Sequence, residues 1–153
     1  MAGKMTVMGV GTRVAPLAFL YLAAVIVLSY VFLPVFAWTR GSTVALIVIG
    51  AMLAAAGVFI LLSSGLRVMK AFKETELLTD GFFRLFLNPM YASYVLFILP
   101  GLSLILNSWL VLTSSAVFYV LYRLFSRDEE AYLAQLHGKT YETYRKSVIF
   151  KFL

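Results

Sequence analysis

Two uninterrupted apolar runs, Val14–Trp38 and Thr43–Leu66, decide what this chain can become, because neither contains a charged residue. A bilayer core needs about 20 apolar residues to be crossed by a helix, and a chain in lipid must satisfy its own backbone groups. Two further runs follow, Met90–Leu106 and Trp109–Phe125, separated only by Asn107-Ser108. That spacing predicts a tight antiparallel hairpin of two short helices. Only 13% of the residues are charged and 62% are hydrophobic, against about 25% charged in a soluble domain, and the mean hydropathy is +0.93. The expected fold is therefore an all-α integral membrane protein. It forms one domain over residues 1–153, with four transmembrane helices at about 14–38, 43–66, 90–106 and 109–125. The tail, residues 126–153, is expected to form one or two amphipathic helices. The second run is rich in small residues (Ala51, Ala54, Ala55, Ala56, Gly57), which permit close helix contacts in lipid and suggest a central position.

Charge placement sets the expected orientation. Lys4 and Arg13 precede the first run. Arg67, Lys70, Lys73 and Arg84 lie between the second and third. Arg123, Arg127, Lys139, Arg145, Lys146 and Lys151 close the chain. Only Arg40 falls on the other side. All the acids, Glu74, Glu76, Asp80, Asp128, Glu129, Glu130 and Glu142, share the basic face. The positive-inside rule makes that face cytoplasmic, with both termini inside and any active site facing the cytoplasm. The net charge of +6 is then accounted for by orientation and lipid headgroups, and no nucleic-acid partner is implied. The first run exceeds the h-region of a signal peptide and reads as a retained span. With no cysteine and one histidine, a thiol nucleophile is excluded and a zinc centre is disfavoured. The spans carry no midspan charge of the kind that marks an ion or proton pathway. No GxGxxG, Walker or HExxH pattern occurs.

The polar residues that remain lie beside the apolar runs. Asn88-Pro89 reads as a helix start, Asn as the cap and Pro in the first turn. It is either a plain membrane-insertion cap or an anion cradle. Ser126-x-x-Glu129 has capping-box spacing, which predicts a new helix there. Gly138 is placed to end it, and Thr140 to cap a second. Glu129 and Glu130 either serve these caps or accept ribose hydroxyls or an ammonium group. His137 is either a surface hydrogen-bonding group or a site residue. Tyr91, Tyr141 and Tyr144 suit an interfacial belt or the face of a bound cation. Asp80-Gly81 reads as a turn. Arg84 can snorkel to headgroups or hold an anionic substrate group.

The two blocks have an order. Leu78-x-Asp80-Gly81-Phe82-Phe83-Arg84-x-x-x-Asn88-Pro89-Met90-Tyr91 comes first. Arg127-x-Glu129-Glu130-x-x-Leu133-x-x-x-His137-Gly138-x-x-Tyr141-x-x-Tyr144-x-x-x-Val148 follows after the hairpin. Together they resemble the membrane methyltransferases of the isoprenylcysteine carboxyl methyltransferase and phospholipid N-methyltransferase type, over about the last half of the chain. The resemblance implies S-adenosylmethionine as cofactor in a cytosolic pocket closed by the third and fourth spans and the C-terminal helices. It implies a lipophilic or amphipathic acceptor, a prenylcysteine-like carboxylate or a phospholipid amine. By matching position it makes Asn88, Tyr91, Glu129, Glu130, His137 and Tyr141 cofactor candidates. It places Arg84 and Tyr144 on the substrate side, and Glu130, like His137, where a base for an amine acceptor would be needed.

The chain departs from that pattern at Leu87, where the family often has Arg, and at Ser93, where a Gly is common. It has no Gly-x-Gly in an earlier span and no prolines in its last residues. Membrane sterol reductases share an Asn-Tyr block and a terminal Gly-x-x-Tyr-x-x-Tyr, so an NADPH-dependent reductase is the competing enzymatic reading. A non-catalytic scaffold that retains the fold is the other.

Overall fold

The computed structural model describes residues 11–41, 43–74 and 77–151; within these, the side chains of residues 11–13, 33, 72–74, 128, 129 and 132 fall outside the description. Lys4 and Glu76, which entered the charge argument, therefore lie outside the described residues. The order is α1 (Gly11–Val31), α2 (Leu33–Phe36), α3 (Val44–Glu74), a 3-10 turn (Gly81–Arg84), α4 (Pro89–Ser93), a π-helical turn (Tyr94–Ile98), α5 (Leu99–Ile105), α6 (Trp109–His137) and α7 (Lys139–Ser147). Among the described residues the protein is all-helical, with three helices long and apolar enough to cross a membrane, at Val14–Val31, Val44–Ala71 and Trp109–Arg127. It is an integral membrane protein.

The expected third span is the shorter apolar rod Pro89–Ile105. Pro100 lies inside it, and a proline lacks the N–H for an i−4 bond and crowds the carbonyl four residues back. The helix responds just upstream by widening. The Leu99 N–H donates to the Tyr94 carbonyl, one residue beyond the usual partner, so α4, the π turn and α5 continue as one rod. Proline also sets the end of the first span. α1 stops at Val31 rather than Trp38, and Pro34 opens the short α2.

The hairpin between α5 and α6 forms as expected. Asn107 adopts φ +48°, and the Ser108 N–H reaches the Ser103 carbonyl at 2.9 Å. The same loop clasps the end of α1 and the segment that follows α2. Asn107 Nδ2 donates to the Thr39 carbonyl at 2.9 Å, the Thr39 N–H donates to Asn107 Oδ1 at 3.2 Å, and Ser29 and Ser108 hydroxyls bond at 2.7 Å.

The rod and α6 form the centre, with α3 packed on the rod and α1 on α6. The small-residue helix is thus an outer helix, not a central one. Its small residues do bring backbones together: a Cβ at Gly50 would lie 2.6 Å from the Gly101 carbonyl oxygen, and one at Gly57 would lie 2.7 Å from Ile98. That contact uses one stripe only. Ile47, Val48, Met52, Phe59, Leu62 and Leu66 on the rest of α3 remain exposed, as a lipid-facing surface requires.

α6 corrects a second expectation. No helix begins at Ser126. α6 runs unbroken from Trp109 to His137, because this stretch contains neither glycine nor proline to stop it. It ends where Gly138, at φ +51° and ψ −127°, takes a backbone conformation open to glycine. Gly138 rather than Thr140 then precedes α7.

Candidate active site

The basic end of the bundle is assembled on one stripe of α6. Tyr122, Ser126, Glu130 and Leu133 follow one another at four- and three-residue steps and so share a face. Against this stripe pack the residues that precede the rod and the residues that follow Gly138. The break at Gly138 takes Tyr141, Tyr144 and Val148 off the α6 stripe. They form a buried cluster with Phe83 and Leu87.

Asn88 occupies the cap position of α4, yet its side chain makes no cap bond. It crosses to α6 instead, where Nδ2 donates to the Tyr122 hydroxyl at 2.6 Å. Tyr91, one turn along, sets its ring 4.4 Å from the Tyr122 ring at 31°, and 6.3 Å from Phe118. Two turns further along α6, Glu130 takes the Arg145 guanidinium of α7 at 3.0 Å and that of Arg123 at 3.6 Å, with its side chain 15% exposed. Both guanidiniums remain about half exposed. The Asn88–Tyr91 block and Glu130 are therefore brought onto one face of one helix, two turns apart.

Between them lies Ser126. It is wholly buried, and its hydroxyl, like those of Ser64, Ser114 and Ser115, has no hydrogen-bond partner among the described residues. An orphaned buried hydroxyl costs about 1–3 kcal/mol. Glu129 occupies the neighbouring α6 position, and its side chain is outside the described residues. His137 is half-buried at the last position of α6.

Tyr144 is 7% exposed, and its hydroxyl donates to the Phe83 carbonyl at 2.9 Å. Burial, and then the neighbouring Tyr141, push its pKa well above the ordinary value of 10.0. The folded-state pKa being the higher one, the unfolded chain loses this proton first. The stabilisation is therefore full below pH 10 and declines above it. Tyr144→Phe leaves the Phe83 carbonyl unpaired, so the protein is expected to lose about 1–3 kcal/mol of stability. Its unfolding midpoint should also lose part of its decline above pH 10. Denaturant titrations across pH 7 to 11 check both effects.

After Tyr144 the chain turns back along the loop before the rod. The Ile149 N–H donates to the Arg84 carbonyl at 3.4 Å, the Phe150 N–H to the Leu85 carbonyl at 2.8 Å, and Phe150 stacks on Phe86 at 5.3 Å. Arg84 itself is exposed and pairs with no carboxylate among the described residues. The Asp80-Gly81 turn forms, with Asp80 accepting from Arg67 at 2.7 Å. A Cβ at Gly81, φ +60°, would meet that guanidinium at 2.9 Å.

Two departures noted in the sequence have a structural account. Leu87 is buried between Phe83 and the α7 tyrosines, a place that suits an alkyl side chain and not a guanidinium. Ser93 is wholly buried and returns its hydroxyl to the Met90 carbonyl at 2.6 Å. Sequence reasoning missed Tyr122, Ser126, Arg123 and Arg145. The first two carried a signal, their four-residue spacing from Glu130. Arg145 carried none, since it meets Glu130 only through the turn at Gly138.

Over residues 38–140 the chain matches the family described as phospholipid methyltransferase. It belongs to that family, which makes it a membrane methyltransferase of the phospholipid and isoprenylcysteine type. Such enzymes generally use S-adenosylmethionine. The matched region includes Arg84, Asn88, Tyr91, Glu129, Glu130 and His137 and ends just before Tyr141. No curated protein and no solved structure matches the chain.

The chemistry of the α6 stripe suits that cofactor. A carboxylate at Glu130 suits an ammonium group or hydroxyls, and the partly buried Tyr91 ring suits a cation. Tyr122, 1% exposed, is packed against that ring, and the Ser126 hydroxyl lacks a polar partner among the described residues.

Proposed function

We propose that this protein transfers a methyl group from S-adenosylmethionine to a lipophilic or amphipathic acceptor, a phospholipid amine or prenylcysteine-like carboxylate, at the basic and cytoplasmic end of the bundle. The observation that carries the reading is the meeting of the two blocks on α6: Asn88 and Tyr91 on Tyr122, and Glu130 on the same face two turns on.

S-adenosylmethionine supplies an electrophilic methyl group on a sulfonium. The protein's part is positioning, which can contribute about 7–11 kcal/mol to such a displacement. Asn88 fixes the Tyr122 hydroxyl, and through it the ring against which Tyr91 lies. Glu130, with Glu129 beside it, is the acidic element that receives hydroxyl or ammonium groups, and Arg123 and Arg145 hold its carboxylate in place. His137 completes the cofactor side at the end of α6, and Tyr141 supports that side from within the buried cluster. Arg84, exposed and uncommitted, is placed to meet an anionic part of the acceptor, and Tyr144 fixes the wall beside it through Phe83. A carboxylate acceptor needs no base. An amine acceptor must release a proton, which Glu130 or His137 takes. A lipidic acceptor reaches this end from the bilayer, between the helices.

Calorimetry on the purified protein in neutral detergent tests the reading. S-adenosylhomocysteine is expected to bind, and Glu129→Ala/Glu130→Ala is expected to weaken binding by about tenfold or more, the loss of one charged hydrogen bond. Absence of binding, or binding untouched by the double substitution, overturns it. NADPH binding in its place identifies a reductase.

A further inference from the structure

α7 presents three flanks. Tyr141 and Tyr144 point into the buried cluster. Arg145 leaves on one side toward Glu130. On the other side, Lys139, Thr140, Thr143 and Ser147 line a groove of about 450 Å3 with Tyr144, and Thr79 of the connection before the rod forms its opposite wall. This groove lies on the flank of α7 opposite Arg145, and of its lining residues only Tyr144 enters the reading above.

Its hydrogen-bonding capacity is sorted into two kinds. Thr143 donates its hydroxyl proton to the Lys139 carbonyl at 3.0 Å, and Ser147 donates to the Tyr144 carbonyl at 2.7 Å. Both therefore offer lone pairs to anything in the groove. The Lys139 ammonium and the Thr79 and Thr140 hydroxyls have no partner among the described residues, and they remain as donors. None of the described lining residues is acidic. A second groove of about 350 Å3 shares the Thr79 wall and contains Lys70 and Arg67. Arg67 is matched by Asp80, and Lys70 has no ion pair among the described residues.

The depth is also defined. The uncharged run of α3 ends at Leu66, and the charges that follow it, Arg67 and Lys70, line the second groove. That is the level at which hydrocarbon gives way to phosphate, and basic pockets between helices at this level take lipid headgroups.

We propose that the Thr79–Lys139–Thr140 groove binds the headgroup of an anionic, hydroxyl-bearing phospholipid that is not the methyl acceptor. Lys139, Thr79 and Thr140 take the phosphate, and the lone pairs of Thr143 and Ser147 accept from the headgroup hydroxyls. A choline headgroup offers no hydroxyl donor and sets a second cation against Lys139.

Native mass spectrometry of the full-length protein, released from mixed micelles, tests this with phosphatidylglycerol and phosphatidylcholine, neither of which can accept a further N-methyl group. One phosphatidylglycerol per chain is expected to be retained, about fivefold more tightly than phosphatidylcholine, the weight of one lysine at a membrane surface. Lys139→Gln/Thr140→Val, and Thr79→Val from the other wall, should each lower that retention. Lys146→Gln removes the same charge from the same helix outside the groove and should not. Equal retention of the two lipids, or equal loss in Lys146→Gln, overturns the proposal in favour of general electrostatic attraction. Displacement of the lipid by millimolar inorganic phosphate overturns it in favour of a free-phosphate site. The substituted residues other than Lys146 line an open groove on the surface, and an unchanged unfolding midpoint confirms that the fold is intact. S-adenosylhomocysteine binding should be the same in all of these variants, which separates this site from the methyl-transfer site.

Discussion

Glu130→Gln is expected to lower kcat/KM for methyl transfer by about a hundredfold or more, the usual scale for a lost acid–base or charge-positioning group. The carboxylate sits between two guanidiniums, at 3.0 Å and 3.6 Å, and is only 15% exposed. Glutamine keeps the shape, removes the charge, and leaves Arg123 and Arg145 facing each other across a neutral amide. Because both arginines are about half exposed, water screens the repulsion, and the accompanying loss of stability should be about 1 kcal/mol. Activity should therefore fall far more than stability. Arg145→Ala separates the two functions of the carboxylate. If Glu130 only anchors α7, Arg145→Ala reproduces the whole loss and the double variant is no worse. If Glu130 also contacts cofactor or acceptor, Arg145→Ala retains more activity than Glu130→Gln. A double-substitution cycle on kcat/KM, with calorimetric binding of S-adenosylhomocysteine alongside, distinguishes them. Glu130→Gln activity within about twofold of the wild type would remove Glu130 from the site.

The sequence carried the membrane class because apolar length is a one-dimensional property, and Val14–Val31, Val44–Ala71 and Trp109–Arg127 can be read without knowing any neighbour. It carried the hairpin because Asn107-Ser108 leaves no room for another connection. Errors arose where a local signal competed with the continuity of a helix. Ser126-x-x-Glu129 has the spacing of a cap, but a helix already running through it has its N–H groups satisfied, so no cap is required. Asn88 has the identity of a cap, but Tyr122 is within reach of its side chain. The small residues of α3 correctly signalled close approach and said nothing of position, since one tight stripe serves an outer helix as well as a central one. At the site, the residues belonging to local blocks were legible: Asn88, Tyr91 and Glu130. Arg145 was not, because its pairing with Glu130 depends on the backbone angle at Gly138, which no residue pattern encodes.

Gly101→Ala is expected to destabilise the protein by about 1–3 kcal/mol, and Gly101→Leu to prevent α3 from docking on the rod at all. The added Cβ would fall 2.6 Å from the Gly50 carbonyl oxygen and 2.8 Å from the Ala54 backbone nitrogen. Neither atom is the end of a flexible side chain, so two backbones would have to separate along their whole contact. The better helix propensity of alanine, worth about 1 kcal/mol, only partly offsets this. Gly65 supplies the comparison on the same helix pair. A Cβ there meets only the Met90 methyl at 3.8 Å, so Gly65→Ala should be neutral or stabilising by up to about 1 kcal/mol. Equilibrium unfolding in mixed micelles ranks the three variants. The consequence extends beyond stability, because the rod that Gly101 seats on α3 begins with Pro89 and carries Tyr91 in its first turn. Moving the rod away from α3 changes how Tyr91 meets Tyr122, now 4.4 Å between ring centroids. Gly101→Ala should therefore also weaken S-adenosylhomocysteine binding, although Gly101 lies in the opposite half of the rod from the site. Gly101→Ala as stable as the wild type would mean that α3 and the rod are not in backbone contact, and the packing that seats Asn88 and Tyr91 would need another basis.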